Sequence, residues 1–413
     1  MKKILILSLL LILSFTGLSF ATNGDNLISI GPISRAMGGV GIAAPQDAIS
    51  AVFSNPAAMC FGPYCPGSEF NFATTLFMPK ATTKIVNDAF VQNTGKKKSD
   101  SDFFVIPALG ISMPLSQDWR FGFAAYGVSG LGVDYKKEFD LNPYSPHVDD
   151  VYTNLSILKV APNIAYMVTP SFSIGASLHL DYGSLNMGKS TESGFGIGGQ
   201  VGAIVKRGPL SFGTVIVLPQ RIKHKEVADF DGDGHNDDLV LESPMSLGFG
   251  IAYEPTPRVL LFEANAKWVN WHDAKGYKDF GWENQWVWSL GAQYRPVPSL
   301  ALRAGVNYAK NPVKANNGWS GADPSNPTVN VQGKDVNRYQ YEVLRITGFP
   351  AVVETHVTAG IGYQISKSLS LDLGYTHAFK NTIKERGTFM GFNTSVESSL
   401  SEDSIDIGIT YRF

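Results

Sequence analysis

The chain is short of charge, of cysteine and of long apolar runs, and each shortage narrows what it can be. Only 17% of its 413 residues are Asp, Glu, Lys or Arg, against roughly 25% in soluble domains. The formal net charge is −2, which gives no basic field for nucleic acid, and no such partner is expected. Past residue 21 no stretch reaches the ~20 consecutive apolar residues of a spanning helix. A chain of this kind in a membrane crosses it as strands. No Pro/Ser-rich or charge-run linker divides it. The 7 histidines are scattered: His179 and His356 fall in strand patterns, while His147, His224, His235 and His272 fall in or near loops. Neither His-Glu-x-x-His nor Gly-x-Ser-x-Gly occurs. A converging nucleophile, base and orienting group are therefore not expected, and the chain is not read as an enzyme.

The 2 cysteines stand in Cys60-Phe61-Gly62-Pro63-Tyr64-Cys65. In an exported chain a local disulfide between Cys60 and Cys65 is expected, with Gly62 and Pro63 supplying the turn; two buried thiols are the other reading. Export itself is expected from residues 1–21, read as a secretory signal: Lys2 and Lys3, an apolar run from Ile4 to Leu13, and Ser19-Phe20-Ala21 at the cleavage positions.

What the sequence does hold is period-two alternation from about residue 68 onward. Leu369, Leu371, Leu373 and Tyr375 alternate with Ser370, Asp372, Gly374 and Thr376; Ile405, Ile407, Ile409, Tyr411 and Phe413 alternate with polar residues and Gly408. Alternate strand side chains point to opposite faces. A soluble sandwich turns its apolar face inward, and a membrane barrel turns it toward lipid. The spacing of the connections favours the barrel. Fourteen strands are expected near 68–79, 103–115, 119–134, 151–169, 171–186, 194–206, 209–224, 240–254, 257–271, 282–295, 298–310, 353–366, 368–380 and 401–413. Tight connections, such as Ser116-Gln117-Asp118 and Arg207-Gly208, alternate with long polar ones at 80–102, 135–150, 225–239, 272–281, 311–352 and 381–400. Trp268, Trp271, Trp282, Trp286 and Trp288 cluster at strand ends on one side. Tyr166, Tyr253, Tyr294, Tyr363, Tyr411 and Phe413 lie near the other ends, as two interfacial belts would. The closing Tyr411-Arg412-Phe413 resembles the assembly signal of bacterial outer-membrane proteins, which makes the barrel assembly machinery an expected partner. The expected class is all-β: a transmembrane antiparallel β-barrel of about 14 strands in the outer membrane, in contact with its lipid and monomeric.

Residues 22–66 precede the first strand and are too short for a domain. They are rich in small residues, and Ala48, Ile49, Val52 and Phe53 make a short apolar helical stripe that Pro56 ends. The expected organisation is signal 1–21, a hatch at 22–66 plugging the periplasmic side, and the barrel at 67–413. Arg35-Ala36-Met37-Gly38-Gly39 and Asn55-Pro56-Ala57, placed just before the first strand, resemble the hatch of the FadL/TodX family, outer-membrane transporters of long-chain fatty acids and other hydrophobic compounds. The resemblance continues through Ala161-Pro162-Asn163-Ile164-Ala165-Tyr166, through Leu302-Arg303-Ala304-Gly305-Val306-Asn307-Tyr308 and through Gly360-Ile361-Gly362-Tyr363. It implies passive transport of a hydrophobic small molecule, with capture near the extracellular loops, a site against the hatch and lateral exit through a kinked third strand. Gly127, Gly130 and Gly132 weaken that strand. The opening is expected around Ser129, Gly130, Leu131 and Gly132; close packing against the plug would also use these glycines. A general diffusion porin or a structural barrel is the alternative function. It lacks a use for the N-terminal plug.

Parity points Lys267, Arg303, Arg295, Glu263, Asp181, Asp372 and Asp406 into the lumen. Most are expected to pair, since lone charges are costly there. Lys267 and Arg303 are candidates to hold a ligand carboxylate. Finally, Asp229, Asp231, Asp233 and Asp237 fall at positions 1, 3, 5 and 9 of a loop with Gly234 at 6 and the His235 carbonyl at 7. That is the start of an EF-hand type of loop without its last Glu, since Val240 stands at 12. No cofactor is required by this reading. A structural Ca2+ ordering the 229–238 loop is the expectation added to it.

Overall fold

In the computed structural model, residues 23–60, 67–88, 92–135, 151–188, 190–321 and 328–413 are described. The signal at 1–21, Cys65 and His147 lie outside the described residues.

The alternation resolves into one closed antiparallel wall. Its strands are β1 (Glu69–Asn87), β2 (Phe104–Pro114), β3 (Trp119–Asp134), β4 (Tyr152–Thr169), β5 (Phe172–Asn186), β6 (Thr191–Arg207) and β7 (Leu210–Val217). After a hairpin of β8 (Gln220–Ala228) and β9 (Asp237–Ser243) come β10 (Ser246–Thr256), β11 (Leu260–Val269), β12 (Gln285–Val297), β13 (Leu300–Ala309), β14 (Thr355–Gln364), β15 (Leu369–Phe389) and β16 (Phe392–Arg412). Each wall strand pairs with its neighbour, and β16 pairs back onto β1 from Glu69↔Arg412 to Asn87↔Thr394. Fourteen strands thus close into a ring, as a lipid-facing sheet must. The choice of inner face is also settled. Ile405, Ile407, Ile409, Leu371 and Leu373 are exposed, while Asp372 and Asp406 are buried. The apolar face looks outward, so the barrel is built for lipid.

Short helices fill the lumen. Helix α1 (Pro32–Ala36) and helix α2 (Ala48–Ser54) are followed by a 3-10 turn at Pro56–Cys60. Asp47 caps α2 by accepting the Ser50 N–H at 2.7 Å, a cap that contributes about 1 kcal/mol. A third helix, α3 (Arg338–Thr347), lies in the β13–β14 connection.

Three expectations are corrected. First, the strands expected at 209–224 and 240–254 do not run unbroken. Leu218-Pro219 ends β7 and Ser243-Pro244 precedes β10, so 220–243 leaves the wall as a separate two-stranded hairpin. Proline has no N–H for a ladder and sits poorly inside a sheet. Second, the loop expected at 381–400 is mostly strand. β15 and β16 continue to a two-residue turn, Met390-Gly391, both with positive φ, the hairpin geometry that matches strand twist. Its alternation is muted because this extension has polar residues on both faces. Third, the tryptophan belt is thinner than expected. Trp286 and Trp288 face outward, but Trp271 and Trp282 are buried inside. Proximity to a strand end does not fix which side a loop tryptophan takes.

Candidate functional site

The hatch is fixed to the wall by polar side chains aimed at its backbone. Arg35 is fully buried. Its Nε lies 2.8 Å from Asp406 Oδ1, and its guanidinium donates to Ser404 Oγ at 2.7 Å. The Gly38 N–H donates to Thr358 Oγ1 at 2.9 Å, and that hydroxyl donates to the Ala36 carbonyl at 2.9 Å. Gly39 has φ +83°, and a Cβ there would meet the Ile28 carbonyl at 2.6 Å. Glu263 Oε1 accepts the Gly41 and Ala43 N–H groups at 3.0 and 2.8 Å. The Asn55 amide donates to the Ile42 carbonyl at 2.8 Å and to Ala203 and Thr214 carbonyls of β6 and β7 at 3.2 Å. Asn163 donates to the Pro56 carbonyl at 3.3 Å, and Ser173 Oγ donates to that of Ala57. Wall glycines admit these approaches: a Cβ on Gly305 would collide with Met37 and Gly38, and one on Gly213 with the Ile42 carbonyl.

At the third strand the wall splits. β2 and β3 pair only from Pro114↔Arg120 up to Ala108↔Tyr126. Against β4, the register of β3 slips between Gly127 and Ser129, leaving Val128 as the extra residue of a bulge. Above the slip, the edge of β3 is met by the N-terminal end of the hatch instead of by β2. Leu27 N–H donates to the Val128 carbonyl at 3.3 Å, and Gly130 N–H donates to the Asp25 carbonyl at 3.0 Å. Ser129 Oγ donates to Asp25 Oδ2 at 2.6 Å, as does the Tyr277 hydroxyl. Leu131 points inward and is buried, and Gly132 pairs with Asn154 of β4. Burial holds the Asp25 carboxyl up at about 6, against the pull of the Ser129 and Tyr277 hydrogen bonds. Trp271, Tyr277 and Trp282 pack against one another in tilted and edge-to-face contacts at 4.7 to 4.9 Å between centroids. A Cβ on Gly24 would touch Trp271 at 2.7 Å, so this cluster clamps the same segment from above.

Beside the split lies a lumen cavity of about 110 Å³. Leu27, Ile42, Phe53, Tyr126, Val128, Val215, Val217, Val269 and Val287 give it apolar walls. Phe53 of α2 stands edge-on to Tyr126 of β3 at 5.5 Å. Lys267 lines the cavity, half-buried, and has no ion pair among the described residues. Arg303 is elsewhere and engaged: its guanidinium bonds Asp372 at 2.7 Å and Gln293 at 2.7 Å. A second polar group on the cavity wall joins Lys159, His179 and Gln220. Lys159 Nζ donates to Gln220 Oε1 at 2.5 Å and lies 3.8 Å from Asp181.

The acidic loop lies at the tip of the β8–β9 hairpin. Carboxylate oxygens of Asp229, Asp231 and Asp237 lie within 4.8 Å of one another. Asp233 instead accepts the His235 N–H at 2.8 Å, and neither of those two joins the cluster. The Lys334 ammonium sits on Asp237 at 2.7 Å and Asp231 at 3.0 Å. These hydrogen bonds raise the Lys334 ammonium above its ordinary value, and Lys334 lowers the Asp231 carboxyl. The Cys60–Cys65 pair falls partly outside the described residues. Asp25, Tyr277, Lys159 and Gln220 carry no motif in the sequence; parity alone points Lys159 inward.

Residues 21–253 match a family described as Outer membrane protein transport protein (OMPP1/FadL/TodX). No curated protein matches the sequence. Among solved structures, the chain is similar to the Pseudomonas putida toluene transporter TodX, at 20% identity and TM-score 0.67, covering 95% of this chain and 100% of that one. It is similar to a Pseudomonas aeruginosa FadL homologue at 14% identity and TM-score 0.70, covering 94% and 100%. The Ralstonia pickettii toluene transporter TbuX gives 18% identity and TM-score 0.63, covering 94% and 99%.

Proposed function

The chain belongs to the outer membrane protein transport family (OMPP1/FadL/TodX), and from that we propose that it carries hydrophobic small molecules across the outer membrane by lateral exit at the split between β2 and β3. One observation carries this reading: the free edge of β3 is hydrogen-bonded to Asp25 and Leu27 of the hatch, not to another wall strand. A strand edge in hydrocarbon is tolerated only where protein covers it or it lines a cavity. Residues 25–27 are that cover. A ligand leaving the cavity needs to displace only a few residues to reach the bilayer sideways. An uncharged or weakly polar molecule gains from such a route, because it never re-enters water. Lys267 gives the cavity one cation with no other work, suited to a carboxylate at the end of an apolar chain. A monomeric state and assembly by the barrel machinery belong to the same reading.

The pair Asn26 and Ser129 bridges the two segments, which permits a direct test. In a background with Cys60 and Cys65 replaced by serine, Asn26→Cys with Ser129→Cys ties the cover to the edge when oxidised. Uptake of a hydrophobic substrate into cells should fall on oxidation and return with reductant. Equal uptake in both states, in protein shown to be inserted and cross-linked, would remove the lateral route.

A further inference from the structure

The wall has a second place where a strand stops early. β7 ends at Val217, and its last bond to β6 is from the Leu218 N–H to the Gly199 carbonyl at 2.9 Å. β6 continues to Thr191, paired on its other side with β5 throughout. Among the described residues, no wall strand pairs with residues 191–198 on the β7 side. Phe195 and Ile197 consequently stand 80% and 66% exposed, more than their apolar neighbours on β5. An unpaired edge facing hydrocarbon is costly unless something covers it or a cavity lies behind. Both conditions are met, from the inside.

The cover is β8. It lies across the inner face of β6, where Gly194, Gly196 and Gly198 leave room for it. A Cβ on Gly196 would meet Ile222 Cγ1 at 2.9 Å and the Arg221 carbonyl at 3.0 Å. Among the described residues, β8 is laddered to β9 alone. Toward β6 it has packing and the contact of His224 Nδ1 with the Glu192 carbonyl at 3.3 Å. Its stem is Pro219, and the hairpin returns to the wall at Pro244, so no ladder runs continuously from wall to hairpin. β8 can therefore part from β6 without breaking a sheet.

Outside this edge is a groove lined by Leu180, Tyr182, Phe195 and Ile197, with Pro219 and Arg221 at its floor. Inside is the cavity, with Lys159, His179 and Gln220 on its wall. Asp181 lies at the groove and close to Lys159. Asp181 is 1% exposed; its carboxylate faces the Lys159 ammonium at 3.8 Å but takes no hydrogen bond, and His179 Nε2 takes none either. Buried polar atoms without partners cost free energy. Here they stand between two apolar spaces, where water or a passing molecule would reach them once β8 moves.

We propose that the β8–β9 hairpin is an inward flap closing a second lateral window, between β6 and β7, that connects the lumen cavity with the bilayer. Its solute is an uncharged hydrocarbon dissolved in the membrane. The proposal rests on the transport reading above and places a second door on the same cavity. The outer groove is mainly apolar; the exposed side of β8 beside it carries Arg221, Lys223 and Lys225, of which Arg221 is paired with Glu242 and Lys223 with Asp238.

The test locks each door separately, in the serine background, and follows the initial rate at which pyrene enters cells expressing the inserted barrel. Gly196→Cys with Ile222→Cys staples the flap to β6. It leaves Lys159, Asp181 and Gln220 untouched. With the Asn26–Ser129 lock oxidised, residual pyrene uptake above the vector control should persist, and oxidising the flap staple should bring it to background, reversibly with dithiothreitol. No residual uptake behind the first lock, or residual uptake indifferent to an oxidised flap staple, would overturn the second window. A first lock that itself changes nothing would count against the β2–β3 route. The flap staple alone would then still decide the second one. Heat-modifiable migration of every variant reports that the barrel has closed.

Discussion

Arg35 in the hatch and Asp406 on the last strand meet at 2.8 Å with neither side chain open to solvent. The pair joins the first described segment of the chain to its final strand. Truncating one partner of a buried ion pair leaves the other uncompensated and costs about 3–5 kcal/mol. Arg35→Met should therefore loosen the hatch. The expected outcome is frequent ion-conducting openings in planar bilayers, where the unaltered barrel is quiet. Adding Asp406→Leu should remove the stranded charge and restore part of that quiet.

Asp25 gives the cover over β3 a pH dependence. Docked, its carboxyl titrates at about 6; released into water it returns toward 3.8. The docked state thus holds more protons between those values, so docking is strongest below about pH 4 and weakens as pH rises to about 6. Above 6 there is no further change from this group. Since one unit corresponds to about a factor of ten, release should grow on the order of tenfold or more across that window. Hydrogen exchange at Leu27 and Gly130 would read it, and Asp25→Asn should flatten the profile.

Lys267 and Arg303 should behave differently although parity points both inward. Lys267→Met removes the free ammonium of the cavity. Uptake of a fatty acid should fall on the order of tenfold, as for a lost hydrogen bond to a charged group, with an uncharged hydrocarbon unaffected. Arg303→Met instead strands Asp372, and should lower the unfolding temperature without changing the ratio of the two substrates.

We propose calcium at the 229–238 loop, and Lys334 sets its terms. An ammonium bridging Asp231 and Asp237 already supplies the countercharge, and calcium must displace it. Lys334→Met should raise calcium affinity in calorimetry, and Asp231→Ala with Asp237→Ala should abolish it. Absence of calcium heat in the Lys334→Met protein after chelation would leave the loop as a lysine-bound tip of the hairpin.

Much of this fold was legible because lipid and lumen impose opposite demands on alternate residues. Ile405, Asp406 and Ile407 carry that contrast openly. The hatch was legible from Arg35 and Asn55-Pro56-Ala57, through resemblance more than through physics. The inward hairpin was not, since Ile222 and His224 keep the period of β7 after Pro219, and a strand folded inward alternates like one in the wall. Pro219 and Pro244 together were the available signal, along with Gly194, Gly196 and Gly198 opposite. Asp25 was beyond reach: one acid in a polar run says nothing of Ser129 and Tyr277, which only the closed barrel brings to it.

The wall glycines that face the hatch restrict how this barrel can work. Backbone of residues 37–57 sits in slots cut at Gly175, Gly213 and Gly305, and the Asn55 side chain in one at Gly202, so the plug is keyed to its housing like a cylinder in a lock. Withdrawing it whole would clear every slot at once. The end near residues 25–27 is held only by the strand edge and by aromatic side chains. On the proposed lateral route that end alone would shift, solutes would pass a stopper that stays seated, and the envelope would keep its resistance to salts and to polar antibiotics while oily molecules cross.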